Sequence, residues 1–234
     1  MRPRWQKAQV SEKSYRMRRT RVCNREMAKA WRKELTESFH EGFDFFEGKR
    51  ILEVGCGAFG AIHYLDIASL KVGLDPLCFS FRNIIRQTPS TAHLVAGISE
   101  KLPFKNESFD VILCLNVLDH VMDPQGSLEE IARVLRAGGI LFLNVDIFNL
   151  LPKVFRQVLG LLDRPHPHHF NSKEVTFLLE RAGFRLAFTN ETKLVINLSI
   201  LRKFDAHAVK LAIATALGIR KFCTRCELIA EETR

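Results

Sequence analysis

Three glycines follow a short aliphatic run within residues 51–60. Their spacing, G-x-G-x-x-G at Gly55, Gly57 and Gly60, is typical of a strand that turns sharply into a helix where a cofactor contacts the backbone. We expect that helix to present unpaired N–H groups and the positive end of its dipole, which together can bind a carboxylate or a phosphate. Several cofactor classes use such a turn, so the glycines alone leave the cofactor open.

Two acidic residues narrow that choice. Glu53 lies two residues before the first glycine, where it would repel a diphosphate but attract the ammonium or sulfonium of S-adenosylmethionine (SAM). Asp75 ends a second short apolar segment at about the spacing from Gly57 that places a carboxylate on ribose hydroxyls. A short-chain dehydrogenase is disfavoured, because neither Tyr15 nor Tyr64 has a lysine four residues later.

Strand-like and helix-like segments alternate along the chain, which indicates an α/β fold with a parallel sheet covered by helices on both faces. We expect strands near residues 108–114 and 140–145, with a helix that ends at about residue 139 between them. Further helices are expected at residues 24–40 and 147–162. In the second of these, the apolar face should pack on the domain, cover an acceptor or lie on a membrane, with Lys153, Arg156 and Gln157 opposite.

The motifs E-x-G-x-G-x-x-G, L-P-F (102–104), S-F-D (108–110) and R-V-L-R-x-G-G (133–139) occur in this order. Together they resemble the class I SAM-dependent methyltransferases, in the type 11 group that includes the ubiquinone and menaquinone biosynthesis methyltransferases. The resemblance covers about residues 48–146. It implies a Rossmann-like, doubly wound, mostly parallel seven-stranded sheet with an antiparallel last strand. The SAM-binding residues that it implies are Glu53, Gly55, Cys56, Gly57, Gly60, Asp75, Pro76, Ser99, Glu100 and Asn116.

One position departs from the family pattern. Many relatives have an aspartate for the adenine amino group where this chain has Ile98. Either Ile98 packs on the adenine ring, or the backbone of Ser99 and Glu100 replaces the lost hydrogen bond.

Methyl transfer from a sulfonium depends mainly on holding the acceptor in line with the methyl group. A base is needed only when the acceptor carries a proton of high pKa, as a sugar hydroxyl or a phenol does. His120, with Asp119 to orient it, is the predicted catalytic residue, and a small-molecule or glycan- or lipid-linked oxygen is the predicted acceptor. We expect no metal, because no carboxylate or cysteine lies at ligand spacing around the histidine-rich residues 166–169.

Positive charge is concentrated at the N-terminus, where residues 1–33 hold 12 of the 35 basic but 2 of the 26 acidic residues. We therefore expect residues 1–40 to form a basic arm and a lid helix, and residues 41–234 the methyltransferase domain, with helical insertions at about 147–170 and 193–218. The arm either packs on the domain or binds an anionic partner, such as a membrane surface or a nucleic acid.

No run approaches the roughly eighteen apolar residues of a spanning helix, and no signal-peptide pattern begins the chain. We expect a cytoplasmic protein that can associate peripherally with membranes. Two alternatives remain: an RNA-directed methyltransferase that uses the basic arm, and a non-catalytic partner protein with the SAM fold, which Ile98 would suit.

Overall fold

A single sheet organises the computed structural model, which describes residues 24–39, 42–86, 90–149, 151–162, 166–193 and 220–228 and the isolated positions 6, 10 and 13. The strands are β1 (Arg50–Val54), β2 (Leu70–Leu74), β3 (His93–Val95), β4 (Phe109–Leu115), β5 (Leu135–Ile147), β6 (Phe184–Lys193) and β7 (Arg220–Leu228). They are ordered β3-β2-β1-β4-β5-β7-β6. The first five are parallel, and β7 runs antiparallel to both β5 and β6. The prediction of a mostly parallel, Rossmann-like α/β sheet is confirmed.

Helices cover both faces of this sheet. They are α1 (Asn24–Phe39), α2 (Arg82–Ile85), α3 (Pro124–Val134), α4 (Lys153–Leu162) and α5 (Ser172–Arg181). Strand residues alternate between two apolar clusters, because neighbouring side chains in a strand point to opposite faces. One cluster contains Leu35 of α1 and Ile51 of β1, and the other contains Leu52 of β1, Leu128 of α3 and Val175 of α5.

The predicted helix before residue 139 is shorter than expected. It ends at Val134, and Leu135 already has extended backbone angles and pairs with Phe109 in the sheet. Burial explains the early end, since Leu135 is almost fully buried as the first residue of β5. Gly138 then takes a left-handed conformation, with φ of +68°.

The segment 147–162 also differs from its prediction. Ile147 still belongs to β5, and α4 begins only at Lys153, directly after Pro152. Val154, Phe155 and Val158 are exposed and Arg156 is buried, whereas Lys153 and Gln157 are exposed as predicted. The prediction of a polar face containing Arg156 was therefore wrong at this residue, and the side chains of Val154, Phe155 and Val158 do not pack on the domain.

Helix α1 matches the helix predicted at residues 24–40 and contacts the glycine turn. The indole Nε1 of Trp31 donates a hydrogen bond to the backbone oxygen of Phe59, at 2.6 Å. Most of the basic arm and the insertion predicted at 193–218 lie outside the described residues. In the part of the chain that the structure describes, no helix has the length and apolar character required to cross a membrane.

Candidate functional site

The carboxyl ends of three central strands meet at one edge of the sheet. Val54 of β1 lies opposite Leu74 of β2 and Cys114 of β4. Ligands in open α/β sheets bind outside these ends, next to the point where the strand order reverses. A cleft of about 630 Å³ lies there.

The glycine turn begins this edge. Gly55 has a backbone φ of +72°, an angle that residues other than glycine rarely adopt. A Cβ atom at Gly55 would also overlap the side chain of Val117, in the loop after β4. The two loops therefore approach each other as closely as they do only because Gly55 has no side chain.

Glu53 stabilises the turn from behind. Its carboxylate is buried and accepts hydrogen bonds from the backbone N–H groups of Ala61 (3.2 Å) and Ile62 (2.7 Å). These groups begin a 3₁₀ helix of four residues, Ala61–Tyr64. The prediction that a helix with unpaired N–H groups follows Gly60 was wrong, because the helix is a single short turn and Glu53 occupies two of its donors.

Asp75 joins the second strand to the turn. One carboxylate oxygen, Oδ2, accepts a hydrogen bond from the backbone N–H of Gly57 at 3.0 Å, and Oδ1 accepts one from Leu77 at 2.7 Å. A carboxylate oxygen can accept more than one hydrogen bond. Asp75 is partly exposed and lines the cleft, so its oxygens can still accept ligand hydroxyls.

Seven of the predicted site residues line the cleft: Gly55, Asp75, Pro76, Ser99, Glu100, Asn116 and His120. Five others are not among the residues that line the cleft, although each lies within five positions of one that does: Glu53, Cys56, Gly57, Gly60 and Asp119. The cleft also contains Ile98 and Val117, of which only Ile98 was singled out from the sequence.

Ser99 and Glu100 hold the loop after β3 in place. Glu100 Oε1 accepts a hydrogen bond from the backbone N–H of Met122 at 2.7 Å. The hydroxyl groups of Ser99 and Ser127 lie 2.9 Å apart. Ile98 is half-buried beside them and faces the cleft. An apolar side chain thus forms this wall of the cleft.

Cysteines near the site point into the core. Cys56 is buried, and its sulfur packs so closely on Gly73 that a Cβ atom there would lie 2.7 Å from Sγ. Burial raises the pKa of the Cys56 thiol well above its usual value, and the charges of Glu53 and Asp75 add to this. Burial likewise raises the pKa of Cys114 to about 12. These thiols are therefore protonated at neutral pH, and a cofactor contact of Cys56 would have to use its backbone.

Two predicted catalytic residues follow β4. His120 is half-buried and lines the cleft, while Asp119 is buried behind it. His120 Nε2 lies 4.0 Å from Asp119 Oδ1, which is too far for a hydrogen bond. The ring of His166 packs against that of His120, with their centroids 4.5 Å apart.

Residues 166–170 are fixed against this loop by several contacts. His168 Nε2 lies 3.0 Å from the backbone oxygen of Val121, and Phe148 donates a backbone hydrogen bond to Phe170 at 2.8 Å. The buried guanidinium of Arg156 donates to the oxygen of His169 at 2.8 Å and forms a bidentate ion pair with Glu174. Sequence reasoning missed this function of Arg156, because helical spacing alone assigned it to the polar side.

Comparison with known proteins agrees with this geometry. Residues 52–143 match a protein-family model described as "Methyltransferase domain". This domain belongs to the class I SAM-dependent methyltransferases of the type 11 group. SAM is therefore its cofactor.

Curated relatives of the methyltransferase domain resemble part of the chain. A ubiquinone biosynthesis O-methyltransferase of Parvibaculum lavamentivorans is 34% identical over 117 residues, which cover 45% of this chain and 46% of the relative. A tRNA U34 carboxymethyltransferase of Campylobacter curvus is 36% identical over 120 residues, covering 46% and 40%. The chain thus spans about half of the length of the curated relatives that it matches.

Solved structures support the fold more broadly. The [4+2]-cyclase SpnF superposes with a TM-score of 0.66 at 16% identity, covering 87% of this chain and 81% of that protein. Identity this low shows the methyltransferase fold alone. Because one neighbour is titled a cyclase, the reaction has to be inferred from the residues of the site.

Proposed function

We propose that this chain transfers the methyl group of SAM to an oxygen atom of a small-molecule or glycan- or lipid-linked acceptor, by in-line displacement. One observation carries the proposal: the glycine turn at Gly55, the carboxylate of Asp75 and the imidazole of His120 line a single cleft. These groups come from three different strand ends, so their convergence results from the fold rather than from proximity in the chain.

The chemistry of the residues that line the cleft fits SAM. The side-chain-free turn at Gly55 would admit the methionine end, and Asp75 would accept hydrogen bonds from the ribose hydroxyls. Ile98 would pack on the adenine, with Pro76, Ser99 and Glu100 near it and Asn116 by the sulfonium.

SAM supplies a methyl group that is already activated by the positive sulfur, so the protein needs only to position the acceptor and remove its proton. His120 would contact the acceptor hydroxyl and take its proton; the position of His120 in the cleft wall, beside Asn116 and Val117, supports this role. Asp119 would support His120 from the protein side. The wall formed by Val117 and Val121 would exclude water from the acceptor oxygen.

An oxygen acceptor is favoured by the chemistry of His120 and by one relative. A hydroxyl or phenol loses a proton during methylation, and an imidazole suits that role near neutral pH. The Parvibaculum lavamentivorans relative is named an O-methyltransferase. The RNA-directed alternative depends on the basic arm, most of which lies outside the described residues. Neither this alternative nor a non-catalytic partner protein with the SAM fold is favoured. Peripheral membrane association through that arm stays a prediction.

The proposal is tested by replacing Asp75, which has no part in the chemical step. Asp75→Asn should weaken SAM binding by at least about tenfold, because hydrogen bonds to a charged acceptor are the stronger ones. Isothermal titration calorimetry with SAM gives the affinity, and transfer of a labelled methyl group to phenol, catechol and sugar acceptors gives the activity. Asp44→Asn, at an exposed position in the 3₁₀ helix Phe43–Phe46, is the matched control.

Circular dichroism and thermal melting would show whether each variant folds. Binding of NAD but not SAM by the unmodified protein would refute the proposal, and so would equal SAM affinity in folded Asp75→Asn and the control. Labelled product from a nitrogen or carbon acceptor, with none from oxygen, would refute the choice of acceptor atom alone.

A further inference from the structure

One carboxylate oxygen beside the cleft lacks a hydrogen-bond donor. Asp119 is 7% exposed, and the buried Oδ1 atom has no donor within hydrogen-bond distance in the described structure. Leaving a buried acceptor unsatisfied costs roughly 1–3 kcal/mol, and more for a charged group. Such an atom in a native site calls for a partner, and an ion is one of the ordinary candidates.

Two imidazoles face this carboxylate from different parts of the chain. His120 follows Asp119 directly, while His166 comes from the segment between α4 and α5. One ligand atom from each of the three side chains lies within 4.8 Å of the other two. Spacing along the chain could not reveal this group, since 46 positions separate His120 from His166.

The three side chains suit a divalent transition metal. Two histidines and one carboxylate with open positions form a recurrent metal-binding arrangement for iron(II) and zinc. Zinc ligands at about 2.0–2.1 Å from the ion lie roughly 3.4 Å apart in a tetrahedron. The three atoms would therefore have to approach one another by no more than roughly 1.5 Å, which side-chain rotation allows.

Neighbouring contacts hold two of these ligands in position. Asp119 is connected to the second segment by a backbone hydrogen bond from His168 to its carbonyl oxygen, at 3.4 Å. The contact between His168 and Val121 adds a second connection. Arg156 then fixes His169, three residues after His166. Because these contacts already fix the backbone of the ligand residues, less conformational entropy is lost when a metal binds.

We propose that Asp119, His120 and His166 bind one divalent transition-metal ion, with Zn²⁺ the expected one, at the edge of the SAM cleft. Because His120 lines the cleft, an open coordination position would face the acceptor. The function of the ion rests on the proposed methyl transfer, with one change: when the ion is bound, His120 is a ligand and no longer the base. An acceptor hydroxyl bound to the cation would then ionise more readily and release its proton to the solvent as it binds. A phenol or catechol, or a sugar diol, is the class of acceptor that such a site would bind.

The metal site is tested without any methyl acceptor. Untagged, full-length, metal-free protein is titrated with Co²⁺, whose visible absorption reports the ligands. We expect one equivalent to bind, without the charge-transfer band that thiolate ligands produce. Asp119→Asn and His166→Gln should each weaken binding by at least about tenfold, since even supporting residues of metal sites have effects of that size.

Matched controls separate this site from other histidines. His93→Gln replaces an exposed histidine of β3 and should leave Co²⁺ affinity unchanged. Competition with Zn²⁺ should displace the Co²⁺ spectrum. SAM calorimetry and circular dichroism on His166→Gln would confirm an intact fold, because His166 does not line the cleft.

Each outcome decides the proposal. No saturable Co²⁺ binding, a thiolate band, or equal affinity in folded His166→Gln would overturn the metal site. Bound metal in a protein that transfers no methyl group to any oxygen acceptor would leave the site standing and contradict the proposed function. Methyl transfer that survives complete metal removal would leave the proposed function standing and contradict the catalytic role of the ion.

Discussion

Glu53 shows how one residue can support the glycine turn without lining the cleft beside it. Sequence reasoning placed its negative charge near the sulfonium of SAM, and the electrostatic part of that argument stays a prediction. The structure adds a second function, since both carboxylate oxygens accept backbone hydrogen bonds from the 3₁₀ helix after Gly60. Gly60 has no room for a side chain beside it, because a Cβ atom would lie 2.6 Å from Glu53 Oε2.

Glu53→Gln should therefore destabilise the fold. The amide keeps one acceptor, but its NH₂ group faces a backbone donor, so one buried hydrogen bond is replaced by a repulsive contact. We expect the free energy of unfolding to fall by about 2–3 kcal/mol, measured by urea denaturation. Glu47→Gln, at an exposed position, should change it by less than about 0.5 kcal/mol. Equal stabilities of the two variants would contradict the stabilisation of the 3₁₀ helix by Glu53.

The glycine spacing, Glu53 and Asp75 could be predicted from the sequence because their geometry is local to one turn and two strand ends. The position of His166 beside Asp119 and His120 could not, because these residues are brought together only by the folded connection after β5. The same limit applied to Val117, whose contact with Gly55 joins two loops that are distant in the chain.

Helix α4 is the element whose orientation differs most from its helical pattern. Hydrophobic periodicity allowed its apolar side to pack on the domain, cover an acceptor or lie on a membrane, and Val154 and Phe155 are 68% and 62% exposed. The polar contact of Arg156 with Glu174 and the backbone of His169 accounts for the orientation. Burying a guanidinium without such partners would be far more costly than exposing a few apolar side chains.

A matched pair of phenylalanines tests this orientation. Phe155→Ala should change the free energy of unfolding by less than about 0.5 kcal/mol, whereas Phe142→Ala in β5 should lower it by roughly 3–5 kcal/mol. The reason is burial: Phe142 is fully buried and Phe155 is mostly exposed. Urea denaturation of both variants would check it, and a loss of several kcal/mol in Phe155→Ala would show that α4 packs through its apolar side.

At the level of elements, the strands expected near residues 108–114 and 140–145 are present as β4 and within β5, because each is a short apolar run bounded by turn residues. Boundaries were less predictable. The end of α3 at Val134 depends on pairing of Leu135 with Phe109, which is a tertiary contact. Propensity within the R-V-L-R segment favoured a helix throughout, and strand pairing overrode it.

Across the whole molecule, three acidic residues bind arginines and should make stability depend on pH. Burial alone would raise the pKa of Asp110 and of Glu174, but hydrogen bonds and charge from Arg50 and Arg136, and from Arg156 and Asn171, hold both below their usual values. The Arg133 guanidinium lowers the pKa of Glu130. A depressed pKa in the folded state means that protonation favours unfolding.

Stability should therefore be fully present above the ordinary carboxyl pKa values of 3.8 and 4.5 and decline as the pH falls through and below them. Urea denaturation between pH 7 and pH 3 at constant ionic strength measures this decline. Glu174→Gln should flatten it, because one of the titrating groups is gone. Glu180→Gln, an exposed change in the same helix, should leave the slope as it is, and identical slopes in both variants would contradict the assignment.

The inward direction of the sulfur atoms has a consequence for chemical resistance. Oxidants and alkylating agents attack thiolates, whereas Cys56 and Cys114 are buried thiols in or beside the glycine turn. Peroxide or an electrophilic metabolite thus has no reactive sulfur to modify at either position. We therefore expect the thiol of Cys56 to resist oxidation, even though this residue lies within the glycine motif.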